Sequence, residues 1–107
     1  MDIDELASWK APTWHPDFGD PAVEFDMLID FCRKLLSIDN QFNLKLDTPE
    51  DGYINVDIFD QDGNKYGELY IVDDEDNKKY GLFYDMNTDE KEVYFDSIEE
   101  GLSYLRK

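Results

Sequence analysis

Cysteine and histidine are almost absent from this sequence of 107 residues, which contains one of each, Cys32 and His15. A single cysteine cannot form an internal disulfide, so a disulfide-stapled secreted domain is excluded. One cysteine and one histidine also provide too few soft ligands for a zinc site. Cys32 lies in an apolar helical pattern and is predicted to be a core residue. Nucleophilic catalysis by a Cys–His pair would need it exposed.

Long apolar runs are also missing, since no segment approaches the roughly 20 residues that a transmembrane helix needs. The segment Met1–Glu5 carries three acids, whereas a signal peptide begins with basic residues. The sequence contains no glycine-rich phosphate loop. We therefore expect a cytoplasmic protein that binds neither a membrane nor a cofactor.

Basic residues are scarce, with 10 lysines and arginines against 27 acids and a formal net charge of −17. Direct nucleic-acid binding is disfavoured, because it depends on lysine and arginine to neutralise phosphates. Residues 49–96 hold 15 acids and 4 bases, a net charge of −11. This surface favours a basic protein partner, whose association it would accelerate. The competing interpretation is that the acidity only confers solubility or reflects a salt-adapted organism.

Apolar residues are nevertheless abundant, at 41% of the chain with 15% aromatics, which is too apolar for a disordered acidic tail. The length suits one domain over residues 1–107, with an irregular or weakly helical arm over 1–20 and an α+β core over 21–107. Bulky apolar residues are predicted to fasten the arm to the domain, although they could instead contact a partner or cover the sheet. These are Trp9, Trp14 and Phe18.

The spacing of apolar residues indicates where helices and strands lie. Apolar positions recur at helical spacing from about Pro21 to Ser37, with Asp20 as the expected N-cap. After Asp39 the period changes to 2, and five short alternating segments follow, separated by polar turns. A second helix is predicted over 97–106, beginning with the Ser97–Glu100 capping box.

The predicted fold is therefore a two-layer α+β domain of order α-β-β-β-β-β-α. Short turns favour a mainly antiparallel meander of five strands. Each helix has one apolar stripe, so both are expected to pack on the same face of the sheet. The opposite face would be open.

The Asp60–Asn64 segment has the carboxylate spacing that begins an EF-hand calcium loop. However, Lys65 stands where the loop needs glycine, and Ile71 stands where it needs a bidentate glutamate. The flanking segments are predicted strands rather than helices. A hairpin turn is the preferred interpretation, and no metal site is expected.

Alternation also predicts which side chains face away from the helices. These outward positions combine acids with aromatic residues, a composition that suits a protein interface, although exposed strands also favour aromatics for propensity alone. Together with two rim acids they form the predicted partner-binding set: Asp57, Phe59, Glu68, Tyr70, Asp73, Asp74, Phe83, Asp85, Glu92 and Tyr94.

The expected function is inhibition of a basic protein, without catalysis. A bacterial immunity protein that neutralises a basic toxin, such as a nuclease, is the preferred form. The alternatives are a nucleic-acid mimic that acts on a DNA- or RNA-binding protein, a carboxylate-based enzyme, and a weak calcium-binding module. Both leading forms use acidic surface, so the sequence separates them poorly.

Overall fold

The computed structural model of the chain describes residues 3–10, 21–39, 41–47, 54–74 and 77–105. Three helices and five strands lie in these ranges. In chain order they are α1 (Ile3–Leu6), α2 (Pro21–Ile38), β1 (Asn43–Asp47), β2 (Asn55–Phe59), β3 (Lys65–Asp74), β4 (Asn77–Tyr84), β5 (Lys91–Phe95) and α3 (Ile98–Leu105).

The sheet is an antiparallel meander, as the sequence predicted. Its strand order is β1-β2-β3-β4-β5, and all four pairings are antiparallel. A register shift between Ile58 and Phe59 marks a bulge where β2 meets β3. The Asp60–Asn64 segment forms the hairpin turn between these two strands. There the carboxylate of Asp60 accepts bonds from the amides of Asp62 and Asn64 at 2.9 and 3.0 Å.

One hydrophobic cluster joins α2 and α3 to one face of the sheet, which confirms the two-layer arrangement. The inward residues Val56, Leu69 and Leu82 are fully buried beneath the helices. Cys32 is a core residue, as predicted, and burial raises the pKa of its thiol to about 12. Val93 also faces inward but is only half-buried.

Two aromatic residues, Phe31 and Tyr80, belong to this core. Phe31 is fully buried one helical turn beyond Leu28, and its ring centroid lies 5.6 Å from that of Tyr80. The ring of Tyr80 stacks on Phe95 at 5.5 Å, and its hydroxyl donates to the carbonyl of Met27 at 3.2 Å.

The polar composition of residues 73–78 predicts a turn over this range, but the turn is shorter. β3 continues to Asp74 and β4 begins at Asn77, with backbone pairing of Asp73 to Lys78 and of Asp74 to Asn77. Ladder hydrogen bonds join backbone groups, so polar side chains at the ends of two paired strands do not stop the pairing.

Helix α3 begins where the capping motif predicted, with the Ser97 hydroxyl accepting from the Glu100 amide at 3.1 Å. Gly101 allows this helix to lie close to the core, because a Cβ there would overlap the ring of Phe95 and lie 2.8 Å from Phe31. Helix α3 begins only two residues after β5, so the close approach at Gly101 also sets the position of α3 relative to the end of β5.

The part of the N-terminal arm that the structure describes lies on the helical side. Leu6 of α1 is buried in the core, and Trp9 packs against the cluster beside Phe25 and Ile29 of α2. The anchoring role predicted for Trp9 is confirmed. Asp20, Trp14, Phe18 and His15 lie outside the described residues.

Candidate functional site

The face of the sheet opposite the helices carries two rows of outward residues that cross all five strands. We call these positions the open sheet face. From β1 to β5, the first row is Lys45, Asp57, Glu68, Phe83 and Glu92, and the second is Asp47, Asn55, Tyr70, Gly81 and Tyr94. Six of the ten predicted site residues lie in these rows, so alternation placed them correctly.

The β3–β5 half of this face is an aromatic cluster built over a glycine. The rings of Tyr70 and Phe83 lie 5.5 Å apart with a tilt of 32°. Gly81 has no Cβ to obstruct the Tyr70 ring, which lies directly over it. The Tyr70 hydroxyl donates to Oε2 of Glu92 and also bonds Tyr94. Burial and then these two contacts raise the pKa of Tyr70 above its ordinary range, so the hydroxyl is a stable donor.

The β2–β3 half is a polar cluster around one lysine. The ammonium of Lys65 lies 3.1 Å from Asp57 and 3.7 Å from Glu68. Burial lowers the pKa of Lys65, but the hydrogen bond to Asp57 and the charges of Asp57 and Glu68 outweigh it and raise the pKa above its ordinary value. The side-chain amide of Asn55, a residue only 9% exposed, donates to both carboxylates at 3.1 and 2.9 Å.

Neither Asn55 nor Lys65 was predicted as a site residue. A polar residue at an outward position normally indicates solvent exposure. Asn55 is buried because the neighbouring strand places Glu68 and Tyr70 around it. Lys65 occupies an outward position beside Phe59 across the bulge, which alternation alone does not locate. Only the register reveals that the two carboxylates share two donors.

Asp85 was predicted to face outward, and this prediction is wrong. The residue is only 7% exposed and has a positive φ of 55°. This left-handed conformation, which aspartate tolerates better than most residues, interrupts the alternation after Tyr84. The carboxylate accepts from the Tyr66 hydroxyl at 3.0 Å and lies 3.9 Å from Lys91. Asp85 is therefore a structural anchor of the β4–β5 turn.

The remaining predicted residues lie away from the two rows. Phe59 is half-buried near the end of β2, opposite Asn43. Asp73 and Asp74 are in the last two positions of β3, where only their backbone pairing is described. The structure therefore brings six of the ten residues together and separates four.

The open sheet face holds only a small part of the chain's net negative charge. Its two rows carry four carboxylates, and Lys45 and Lys65 offset part of that charge. Asp47 and Glu92 are exposed on this face, and further exposed acids lie on the helices and turns, including Asp26 and Glu99 on the helices and Asp62 and Asp89 in the turns. The centre of the open sheet face therefore carries aromatic side chains and partly neutralised carboxylates, and most exposed acids of the described residues lie outside it.

Two further observations bear on metals and membranes. Within the described ranges, no three histidine, cysteine, aspartate or glutamate side chains form a group that could hold a metal ion. The same residues include no helix long and apolar enough to cross a membrane.

Comparison with protein-family models, with curated proteins and with solved structures finds no match to this chain.

Proposed function

We propose that this protein binds and inhibits a basic protein, and that the open sheet face is its interface. The form we favour is a bacterial immunity protein, acting in the cytoplasm, that neutralises a basic toxin by covering it. The bound protein would block the toxin's active surface sterically, and its carboxylates would occupy the toxin's positively charged groups.

The arrangement of the open sheet face carries this proposal. Interface centres are enriched in aromatic residues and depleted of unpaired charge, with a polar rim around them. Here Tyr70, Phe83 and Tyr94 lie together on a rigid sheet, and the nearby carboxylates of Asp57 and Glu68 already have partners. Tyr94 is 55% exposed, a large aromatic surface for a strand residue.

The net charge of −17 also supports the proposal, because it provides long-range attraction of a basic partner. Electrostatic steering raises association rates and fades as salt increases. It acts through the whole surface, so it does not require the face itself to be strongly acidic. Aromatic contacts at the centre would then govern how slowly the complex dissociates.

The test begins with affinity capture of a partner from native lysate and continues with the purified pair. We expect Tyr70→Ala and Phe83→Ala to accelerate dissociation by about 30-fold each, the equivalent of about 2 kcal/mol for an interface anchor. The matched control is Ile38→Ala, which removes an exposed apolar side chain from α2. That variant should bind like the wild type.

Charge-reversal variants separate steering from contact. Asp47→Lys, on the open sheet face, should slow association more than Asp26→Lys, an equal charge change on α2. Both effects should shrink as salt is raised. If Tyr70→Ala and Phe83→Ala bind like the wild type and affinity is insensitive to salt, the proposal is wrong. A captured partner that binds nucleic acid and has no toxic activity would favour the nucleic-acid mimic instead.

A further inference from the structure

A shallow depression of about 400 Å³ lies where the aromatic and polar clusters of the open sheet face meet. Its lining consists of Asn55, Glu68, Tyr70 and Phe83. Two walls are aromatic rings, and the other two are a carboxylate and a carboxamide. The depression therefore combines π faces with a negative charge, which is the chemistry that recognises an organic cation.

A cation from the chain itself already lies at this place. The Lys65 ammonium reaches Glu68 at 3.7 Å and Asp57 at 3.1 Å, so the carboxylates at the edge of the depression do hold a positive group. The two contacts differ in quality. The shorter is a hydrogen bond and the longer is beyond hydrogen-bond distance, so Glu68 is the carboxylate that Lys65 holds less firmly.

The Glu68 carboxylate is also fixed in position. Asn55 donates to its Oε1 at 2.9 Å, and the same oxygen receives the Lys65 contact. An orienting donor reduces the entropy that a carboxylate loses when it binds a ligand. Glu68 is part-buried, with 28% of its side chain exposed, so a charged bond to it is screened less than a bond at the outer surface.

The shape favours a guanidinium over an ammonium. A guanidinium is planar, stacks on aromatic faces, and presents two parallel N–H groups to a carboxylate. The Tyr70 and Phe83 rings provide such faces beside Glu68. An ammonium is a compact and strongly hydrated charge that uses aromatic walls less well.

We propose that this depression binds an arginine side chain of the partner, with the guanidinium on Glu68 and against the Tyr70 and Phe83 rings. The proposal rests on the proposed function and specifies the chemistry at the centre of that interface. Lys65 acts as an internal competitor that keeps Asp57 and yields Glu68 when the arginine enters.

Small probes test this without the partner. The 15N-labelled protein is titrated with N-acetyl-arginine N-methylamide, with the corresponding lysine derivative, and with the citrulline derivative in matched chloride. We expect arginine to shift the amide signals of Gly81 and Phe83 most strongly, with weaker binding by lysine and none by the uncharged citrulline. Equal affinity for arginine and lysine, or shifts centred on the helical side, would overturn the assignment.

Variants then identify the groups that bind. Glu68→Gln preserves the shape and should weaken arginine binding about tenfold, because a charged bidentate bond is lost. Lys65→Met should tighten it by about three- to fivefold, the value of a part-exposed ion pair. The control Lys34→Met makes the same change in net charge on α2, where Lys34 pairs with Glu99. If Lys34→Met tightens binding as much, Lys65 is not a competitor and the assignment is wrong.

The outcome for the proposed function is separate. If Tyr70→Ala and Phe83→Ala weaken partner binding while the arginine probe does not bind, the interface stands and the arginine assignment fails. If the probe binds at Glu68 but those variants leave the partner's affinity unchanged and that affinity is insensitive to salt, the proposed function fails and the cation site stands.

Discussion

Alanine replacements at two glycines of the sheet would test whether the Tyr70 ring lies over β4. A Cβ at Gly81 would overlap carbons of the Tyr70 ring and lie 2.8 Å from its hydroxyl oxygen. A Cβ at Gly67 would lie 2.5 Å from the backbone carbonyl oxygen of Phe83. A side-chain ring can rotate away from a new methyl group, whereas a carbonyl in the β3–β4 ladder cannot. We therefore expect Gly67→Ala to be the more destabilising change.

The expected cost of Gly81→Ala follows from the contacts that Tyr70 would lose. Its ring must move by about 1 Å or more to reach the ordinary contact distance of about 3.5–4 Å. Because the site is part-exposed, both contributions are taken near the lower ends of their usual ranges. The bond to Glu92 then contributes about 1.5 kcal/mol to the free energy of unfolding, and the packing on Phe83 contributes about 0.5–1 kcal/mol. Alanine regains about 0.5–1 kcal/mol over glycine in a strand. The net loss is about 1–2 kcal/mol.

We expect Gly67→Ala to lower the free energy of unfolding by about 3 kcal/mol, because the new methyl group overpacks against the backbone and weakens a hydrogen bond of the β3–β4 ladder. Urea denaturation followed by circular dichroism measures both changes, and each kcal/mol corresponds to about 4–8 °C in Tm for a domain of this size. The decisive control is Gly81→Ala in a Tyr70→Leu background, where the obstruction is gone and the change should be close to neutral. If Gly81→Ala costs as much there as in the wild type, the ring does not lie over Gly81.

Three further changes probe other contacts. Asn55→Ala removes the donor that two carboxylates share and should lower the free energy of unfolding by about 1–3 kcal/mol in the same urea assay. Its control Asn43→Ala, at an exposed position, should change that free energy by less than about 0.5 kcal/mol. Ser97→Ala should lower the free energy of unfolding by about 1 kcal/mol through loss of the α3 N-cap, and Ser103→Ala, on the exposed side of α3, should change it little. Equal losses of stability in thermal melts would contradict the cap. Burial raises the pKa of Tyr80 to about 12, above its unfolded value near 10. Its neutral form therefore stabilises the fold below about pH 10, and this contribution is lost as pH rises towards about 12. Urea titrations measure how much the free energy of unfolding falls between pH 8 and about pH 11. This fall should be smaller for Tyr80→Phe than for the wild type, and an equal fall would show that Tyr80 ionisation does not cause it.

The meander was predictable because one face of the sheet is buried, which leaves a visible period of 2 in residues such as Val56 and Ile58. The same pattern located most of the open sheet face, since a strand that buries alternate residues must expose the others. Alternation failed at Asp85, where a left-handed residue changes the direction of the chain. No period in the sequence marks such a residue, although aspartate is one of the types that tolerate it.

The polar cluster was beyond sequence analysis for a different reason. Asn55 is 13 residues from Glu68, and Lys65 precedes Glu68 by three residues, which in a regular strand would put the two on opposite faces. The register and the bulge bring all three together. Composition also could not show where the acidity lies. A net charge of −17 is the same whether carboxylates are paired on one face or spread over the surface, and only the positions of the lysines distinguish these cases.

The order of the strands has a consequence for how the chain folds. Every strand pairs with its neighbour in sequence, so the sheet can form by successive hairpins with short loop closures. The contacts of α2 with β3 and with α3 span much longer separations. The same is true of the buried ring pair of Phe31 on α2 and Phe95 on β5. Local pairings close faster than distant ones, so we expect the β-meander to form early and the docking of α2 to complete the core. Replacements in α2 would then mainly accelerate unfolding, while replacements in the β3–β4 hairpin would slow folding.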